Sequence, residues 1–507
     1  MKTTIIHVLS LLVMCLCTIG LSAQAVPCSK NGGARFNLEP RQNAVFQNTP
    51  SADFILNGAG PGDDLIVQTA TDWRGAYPSS TWDGSMSGYY VHTSSTADCS
   101  VQFEGGLPNS TGFDQGLGEG VVVADATRQA FFIAEDQYIG GEGNYGIFRA
   151  SVADLLNPQI CPPGTHTTAQ AMSCWAQTPP VFLNPQESFG GPIGLAVDQR
   201  STGTGAGDVY LVGTLGGSVT LNACTNATLT CSTTVTVATN QSNANIYPSI
   251  KVRSDGIITI SSVGDFNPYP NAPIIFVTCT PAGAPNPPTC QAPVNVTTLA
   301  LFEADGFGFA NINLIAGDPL YPKHANRLES NGQFTTFLVY DQCVNSVSAP
   351  PPPNSTGVCL NTQVNLTLSQ DGGQTWSPPV VLTPNPALHF FSTITNDAST
   401  GTVSIAYYST EGDPYFRNTR VFVSQIARGS TTPGAALPAT VFTPIDDDPG
   451  DEAVLGTFDY RMGIIAHGTG TVGQSHLYLS FDSETVNGNY NGAPLPELNN
   501  HIELIPY

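Results

Sequence analysis

Basic side chains are scarce in this chain, 16 Lys and Arg against 39 Asp and Glu, so the places where they occur are informative. Lys251, His324, Arg327, His389 and Arg461 fall near the starts of segments that recur along the sequence, as do Asp459 and Tyr460. Arginine suits a carboxylate, because its planar fork donates two parallel hydrogen bonds where an ammonium offers a point charge. Arg327 and Arg461 could therefore hold a carboxylate-bearing ligand, with Lys251, His324 and His389 adding charge or hydrogen bonds. The plainer alternative is that each pairs with a neighbouring acid and serves the fold alone. A second chemistry is suggested by Asp446, Asp448 and Asp451, which crowd around Gly450. Oxygen ligands on such a turn suit a hard cation, so a structural calcium is possible, although the spacing is not that of an EF-hand and a solvated loop is the simpler reading. No other cofactor is implied: neither a phosphate-binding Gly loop nor Gly-x-Ser-x-Gly is present.

The segments that would position these residues repeat. Each unit pairs two short apolar runs across a turn: Val121–Val123 leads to Phe131–Ile133, Leu195–Val197 to Val209–Leu211, Ile250–Val252 to Ile257–Ile260, and Ile394 to Val403–Tyr407. Anchors at residues 64, 121, 193, 247, 321, 389 and 458 recur at intervals of 54 to 74 residues. Strand, turn, strand and a longer hairpin, repeated at a roughly fixed period, are the signature of propeller blades. The expected fold is all-β, a β-propeller of four-stranded blades, seven on the anchor count and six as the alternative. Each anchor should begin the innermost strand of a blade. Closure is expected from residues 34–46 or from His501–Ile505, which would complete the terminal blade and cover a sheet edge. The Pro350–Pro353 run and the Pro- and Ala-rich stretch 280–293 read as loops on outer hairpins, so residues 30–507 form one domain.

The first 25 residues read as a signal peptide: basic Lys2, an apolar run from Ile5 to Leu21, and the small-x-small site at Ala23–Ala25. Export then makes the remaining ten cysteines disulfide partners. Sequential spacing pairs Cys28 with Cys99, Cys161 with Cys174, Cys224 with Cys231, Cys279 with Cys290, and Cys343 with Cys359. A net charge of −23 argues against nucleic acid or an anionic membrane as partner. No further segment is long and apolar enough to span a bilayer, so a secreted, periplasmic or extracellular monomer without membrane insertion is expected.

One hairpin is more specific than the rest. Val364, Leu366 and Leu368 alternate with polar residues, Asp371-Gly372-Gly373 supplies a turn, and Trp376 precedes the returning run Val380–Leu382. Ser369-x-Asp371-x-Gly373-x-x-Trp376 matches every defined position of the Asp-box (BNR repeat), and the chain resembles the sialidase-like secreted β-propellers over most of its length after the signal. Ser254-Asp255-Gly256 and Ser480-Phe481-Asp482 echo the motif without its Trp. The resemblance implies a box that ties a hairpin at the rim, away from the central funnel. An active sialidase of that family carries an arginine triad for the substrate carboxylate, a Tyr nucleophile paired with Glu, and an Asp acid/base. Tyr460, Glu329 and Asp459 are the candidates for those catalytic parts. The family's first arginine sits in Arg-Ile-Pro, a tripeptide absent here; Arg35 and Arg41 follow Ala34 and Pro40 instead. The resemblance so modified implies a non-catalytic propeller that binds a glycan or a protein partner at the cell exterior, through its funnel or rim. The alternative is an exo-glycosidase acting on sialic acid or a related acidic sugar.

Overall fold

The computed structural model describes residues 26–30, 47–56, 64–72, 87–93, 101–108, 113–139, 142–175, 181–187, 193–215, 218–239, 248–264, 271–300, 308–309, 312–313, 322–347, 358–383, 385–413, 418–440, 443–444, 462–468, 475–490 and 493–506. Their strands fall into seven sheets, six of them antiparallel meanders in chain order. The first runs Gln47–Leu56, Asp64–Asp72, Ser87–Thr93, Val101–Gly106. The second runs Phe113–Asp125, Ala130–Ile139, Glu142–Ser151, Val181–Glu187. The third runs Gly194–Val197, Val209–Leu215, Ser218–Cys224, Val235–Ala238.

The fourth sheet runs Ser249–Val252, Ile258–Val263, Asn271–Thr280, with Val294–Ala300 outermost. The fifth runs Lys323–Leu328, Phe334–Val347, Val358–Ser369, with the short Val380–Val381 beside it. The sixth runs His389–Asn396, Val403–Ser409, Asn418–Ile426, with Leu437–Pro438 beside it. The last runs Gly463–Gly468, Ser475–Tyr490, Ala493–Pro506 and is completed by Val26–Lys30.

The first strand of each sheet packs on the first strand of the next, and Gly463–Gly468 packs back on Gln47–Leu56. The ring of inner strands is closed, which makes the fold a β-propeller. Apolar side chains fill the spaces between adjacent sheets. Leu65, Val67, Tyr89 and Val91 of the first sheet meet Val122, Phe131, Ile133 and Phe148 of the second. Ala130, Phe132 and Ile147 of the second meet Leu195, Val209 and Leu211 of the third. Phe337, Val339 and Val364 of the fifth meet Ile405, Tyr407 and Phe422 of the sixth in the same way. Such strands are buried on both faces, so Asn365 and Thr367, expected to face solvent, are only 2% and 1% exposed. Thr367 meets that burial by donating its hydroxyl to the Ser377 carbonyl at 2.7 Å.

One expectation about elements is corrected. Asp64 begins the second strand of its sheet, not the innermost; Gln47–Leu56 precedes it and packs on its neighbour's inner strand. The terminal sheet is completed by Ala493–Pro506, which contains the expected His501–Ile505, and by Val26–Lys30, whose Lys30 pairs with His501 and Val26 with Leu504; the other expected stretch, 34–46, lies outside the described residues. A strand from one terminus hydrogen-bonded into the sheet of the other leaves no break in the ring.

The 161–174, 224–231 and 279–290 disulfides are formed, closing loops with sequence separations of 13, 7 and 11. Cys343 is disulfide-bonded as well; Cys99 and the side chains of Cys28 and Cys359 lie outside the described residues. The first bridge links the segment after the short helix Val152–Leu155 to the helix Thr168–Trp175, whose Trp175 packs edge-on against Tyr89 of the first sheet at 5.4 Å. Tyr89 and Tyr90 are completely buried core residues. Among the described residues no helix is long and apolar enough to cross a membrane.

Candidate functional site

Inner strands line the central channel of a propeller, so side chains that water reaches from these strands are its chemical surface. Lys251, on Ser249–Val252 of the fourth sheet, is exposed between the buried Ile250 and the half-buried Val252. Its ammonium is held below the ordinary lysine range by desolvation, opposed by the negative charge of Asp53. Asp53 lies on Gln47–Leu56, three sheets away around the ring. The ring of inner strands borders the central channel, and Lys251 is an exposed residue of that ring. Among the described residues Lys251 has no contact ion pair, and an anion entering the channel would meet a positive charge only partly offset by Asp53.

The other sequence candidates have different surroundings. Arg327 is 1% exposed, and each nitrogen of its guanidinium is occupied. Nε donates to Glu329 Oε1 at 2.7 Å, one Nη donates to the Ala427 carbonyl at 3.0 Å, and the other donates to the Ser430 carbonyl at 2.6 Å. The plane of the fork lies 4.7 Å from the centre of the Phe337 ring. Arg327 thus ties the fifth sheet to the sixth, and Glu329 is its partner; neither is presented to a ligand. His324 is fully buried, with Nε2 2.9 Å from Thr259 Oγ1 and Nδ1 2.8 Å from Ser261 Oγ of the fourth sheet. Burial, then the charges of Lys251 and Lys323, depress its pKa to about 3, so it is a neutral inter-sheet bridge. His389 is also fully buried; Nε2 is 3.2 Å from the Asn385 carbonyl, and burial lowers its pKa. These four residues are corrected from ligand-facing to structural. Tyr460, Asp459 and Arg461, with Asp446, Asp448 and Asp451, lie outside the described residues.

Arg327 belongs to a series that the sequence reading missed. Arg128, in the turn after the second sheet's inner strand, donates to Asp125 and to the carbonyls of Asp198 and Arg200 in the third. Arg200 is forked onto Asp198 and donates to the Asp255 carbonyl of the fourth. It fits because residue 256 is glycine: a Cβ there would meet the Arg200 guanidinium at 2.0 Å, and φ is +92°. The signal was an acid two or three residues from an Arg in successive turns: Asp125 and Arg128, Asp198 and Arg200, Arg253 and Asp255, Arg327 and Glu329. The scarce cations are largely inter-sheet ties.

A second unforeseen cluster sits where the fifth and sixth sheets meet. Asp341 is fully buried, and its Oδ2 accepts the Ser392 backbone N–H at 3.0 Å. Ser392 follows Phe391, whose φ is +54°, in an irregularity of the inner strand between Phe390 and Thr393. A bulky residue is strained there, and the buried carboxylate helps to hold the bulge. Desolvation raises the Asp341 pKa to about 7, against the lowering effect of the Ser392 hydroxyl and the Ser392 and Phe391 N–H groups.

The Ser369–Trp376 turn is also well defined. Asp371 Oδ1 accepts from the Ser369 hydroxyl at 2.8 Å, the Thr375 N–H at 2.9 Å and the Gln374 N–H at 3.0 Å, while Oδ2 accepts from the Thr375 hydroxyl at 2.5 Å. Desolvation pushes the carboxyl up, but these donors together outweigh it and hold the carboxyl down to about 2. Trp376 donates Nε1 to the Gly373 carbonyl at 3.1 Å and meets Phe276 of the fourth sheet edge-on at 5.1 Å. Gly373, at φ +91°, leaves room for the same Phe276 ring, which an added Cβ would meet at 2.4 Å. The returning strand pairs Leu366 with Val380, but Val380 and Val381 are 53% and 41% exposed, so on this side the hairpin is anchored by Trp376 and Leu382.

No family model and no curated protein matches the chain. Solved structures similar to it are glycan-processing propellers and a protein of unknown function. Polysaccharide lyase Uly1 is 12% identical over 96% of this chain and 98% of its own, with a TM-score of 0.44. A protein of unknown function from Dyadobacter fermentans is 10% identical over 78% and 97%, with a TM-score of 0.40. The Hadza microbial sialidase Hz136 is 9% identical over 83% and 74%, with a TM-score of 0.38. Likenesses of this degree carry no argument about chemistry, and the propeller assignment rests on the sheets themselves.

Proposed function

We propose that this chain is an exported, sialidase-like β-propeller, each sheet one blade, that binds an acidic glycan in its central channel without hydrolysing it. The reading is carried by Lys251, an exposed residue on an inner strand whose ammonium has no contact ion pair among the described residues. The structural roles of Arg327, His324 and His389 support binding over catalysis: Arg327 is committed to Glu329 and two carbonyls, and a Tyr460 nucleophile would find Glu329 already accepting from Arg327. Export is supported by the signal-like N-terminus and by the three bridges, which suit an oxidising compartment. The box-like turn at Ser369–Trp376 supports the family resemblance through its Asp371 bonds. The catalytic question is tested with an aryl sialoside. Trace release of the aryl group, unchanged in Tyr460→Phe, is expected. Robust turnover abolished in Tyr460→Phe would replace the binding reading with an exo-glycosidase.

A further inference from the structure

Three of the turn arginines deliver hydrogen bonds into the next sheet: Arg128 to the Asp198 and Arg200 carbonyls, Arg200 to that of Asp255, and Arg327 to those of Ala427 and Ser430. Arg253, the member belonging to the fourth sheet, differs. Its Nε and one Nη are forked onto Asp255, and the guanidinium lies 4.1 Å from the centre of the Phe334 ring of the fifth sheet. The second Nη has no hydrogen-bond partner among the described residues. Beside this guanidinium lies an open groove of about 650 Å³, lined by Arg253, Asp255, Leu328, Gln333, Phe334 and Asp371 among others.

We propose that this groove, between the fourth and fifth sheets on the rim, is a second binding site, specific for a neutral sugar. The free Nη supplies a donor for a ring or hydroxyl oxygen at the place where its counterparts meet carbonyl oxygens. Asp255, 41% exposed, keeps an accessible carboxylate that accepts from a hydroxyl, and the exposed Gln333 amide both donates and accepts. Vicinal hydroxyls are the groups that match such alternating partners. Leu328, 44% exposed, and the Arg253–Phe334 stack offer apolar surface to the C–H face of a pyranose. Charge decides against an acidic ligand: Arg253 is neutralised by Asp255, and Asp371 stays ionised at any physiological pH, so the groove repels carboxylates and sulfates. The channel at Lys251 would prefer the opposite charge, and the two sites are distinguishable by ligand.

The test is a titration of the full-length protein with lactose, cellotriose and maltotriose at millimolar concentrations, with glucuronate as the charged control. Saturation-transfer NMR reads the binding. The expected result is binding of at least one neutral probe and none of glucuronate at this groove. Arg253→Met and Gln333→Ala should each weaken it about tenfold, the effect of a single hydrogen bond, and Lys251→Met should leave it unchanged. Gln333 lies on an exposed turn, so its variant remains informative should Arg253→Met disturb the Phe334 stack. Failure of all three neutral probes to bind, or binding that survives both groove variants, overturns the proposal.

Discussion

Asp341 shows how much of the residue-scale chemistry here was beyond sequence. Nothing in its flanks, Tyr340 and Gln342, marks it, because its partner Ser392 is fifty-one positions away on another sheet. Its pKa is raised in the fold, so the stability it contributes is fully present below the ordinary carboxyl value near 3.8 and is lost as pH rises through about 7. Wild-type unfolding free energy should therefore fall across that window by an extra ~1.4 kcal/mol per pH unit at most, the slope of one proton. Asp341→Asn, which keeps an oxygen for the Ser392 N–H and cannot ionise, should flatten this slope. Denaturant midpoints at the two ends of the window check it; equal slopes in wild type and variant would mean that the carboxyl is not buried. The ligand candidates erred for the opposite reason. His324, Arg327 and His389 were rightly placed on inner strands, but period-2 alternation does not say which face of an inner strand meets the neighbouring sheet; His324 and Arg327 point there, and His389 is buried beside Asn385 and Tyr407.

At the scale of elements, turns were more legible than strand faces. The Asp371-Gly372-Gly373 turn follows from residue type alone: two glycines at φ +76° and +91°, and a carboxylate that accepts from the backbone just ahead of it. What sequence could not supply was the partner of Trp376, which is Phe276 of the preceding sheet. Because Trp376 is only partly buried, Trp376→Ala should cost about 2–4 kcal/mol, below the full range for a core aromatic. A denaturant midpoint unchanged by that substitution would show that the hairpin contributes nothing to holding the fourth and fifth sheets together. The first sheet's inner strand escaped detection since Gln47–Leu56 carries Pro50 and few apolar residues before Phe54. Its register to the second strand shifts between Asn48 and Ser51, the irregularity that a proline without N–H produces.

For the whole molecule, the repeat period and the apolar runs carried the architecture, since each sheet buries the same pattern against its neighbours. Closure by Val26–Lys30 depended on pairing across nearly the full length of the chain, which no local pattern encodes. The net charge of −23 sets the field in which any ligand arrives, and it repels anions at long range. A channel that takes an acidic glycan must therefore do so by local contact, and Lys251 is the residue that provides it. The decisive measurement is a calorimetric titration of an acidic oligosaccharide, such as 3′-sialyllactose, into wild type and Lys251→Met. Binding in wild type that weakens about tenfold or more in the variant, with the fold unchanged by circular dichroism, is the predicted result. Equal affinity in both proteins, or no binding to wild type, would contradict a channel that recognises anions.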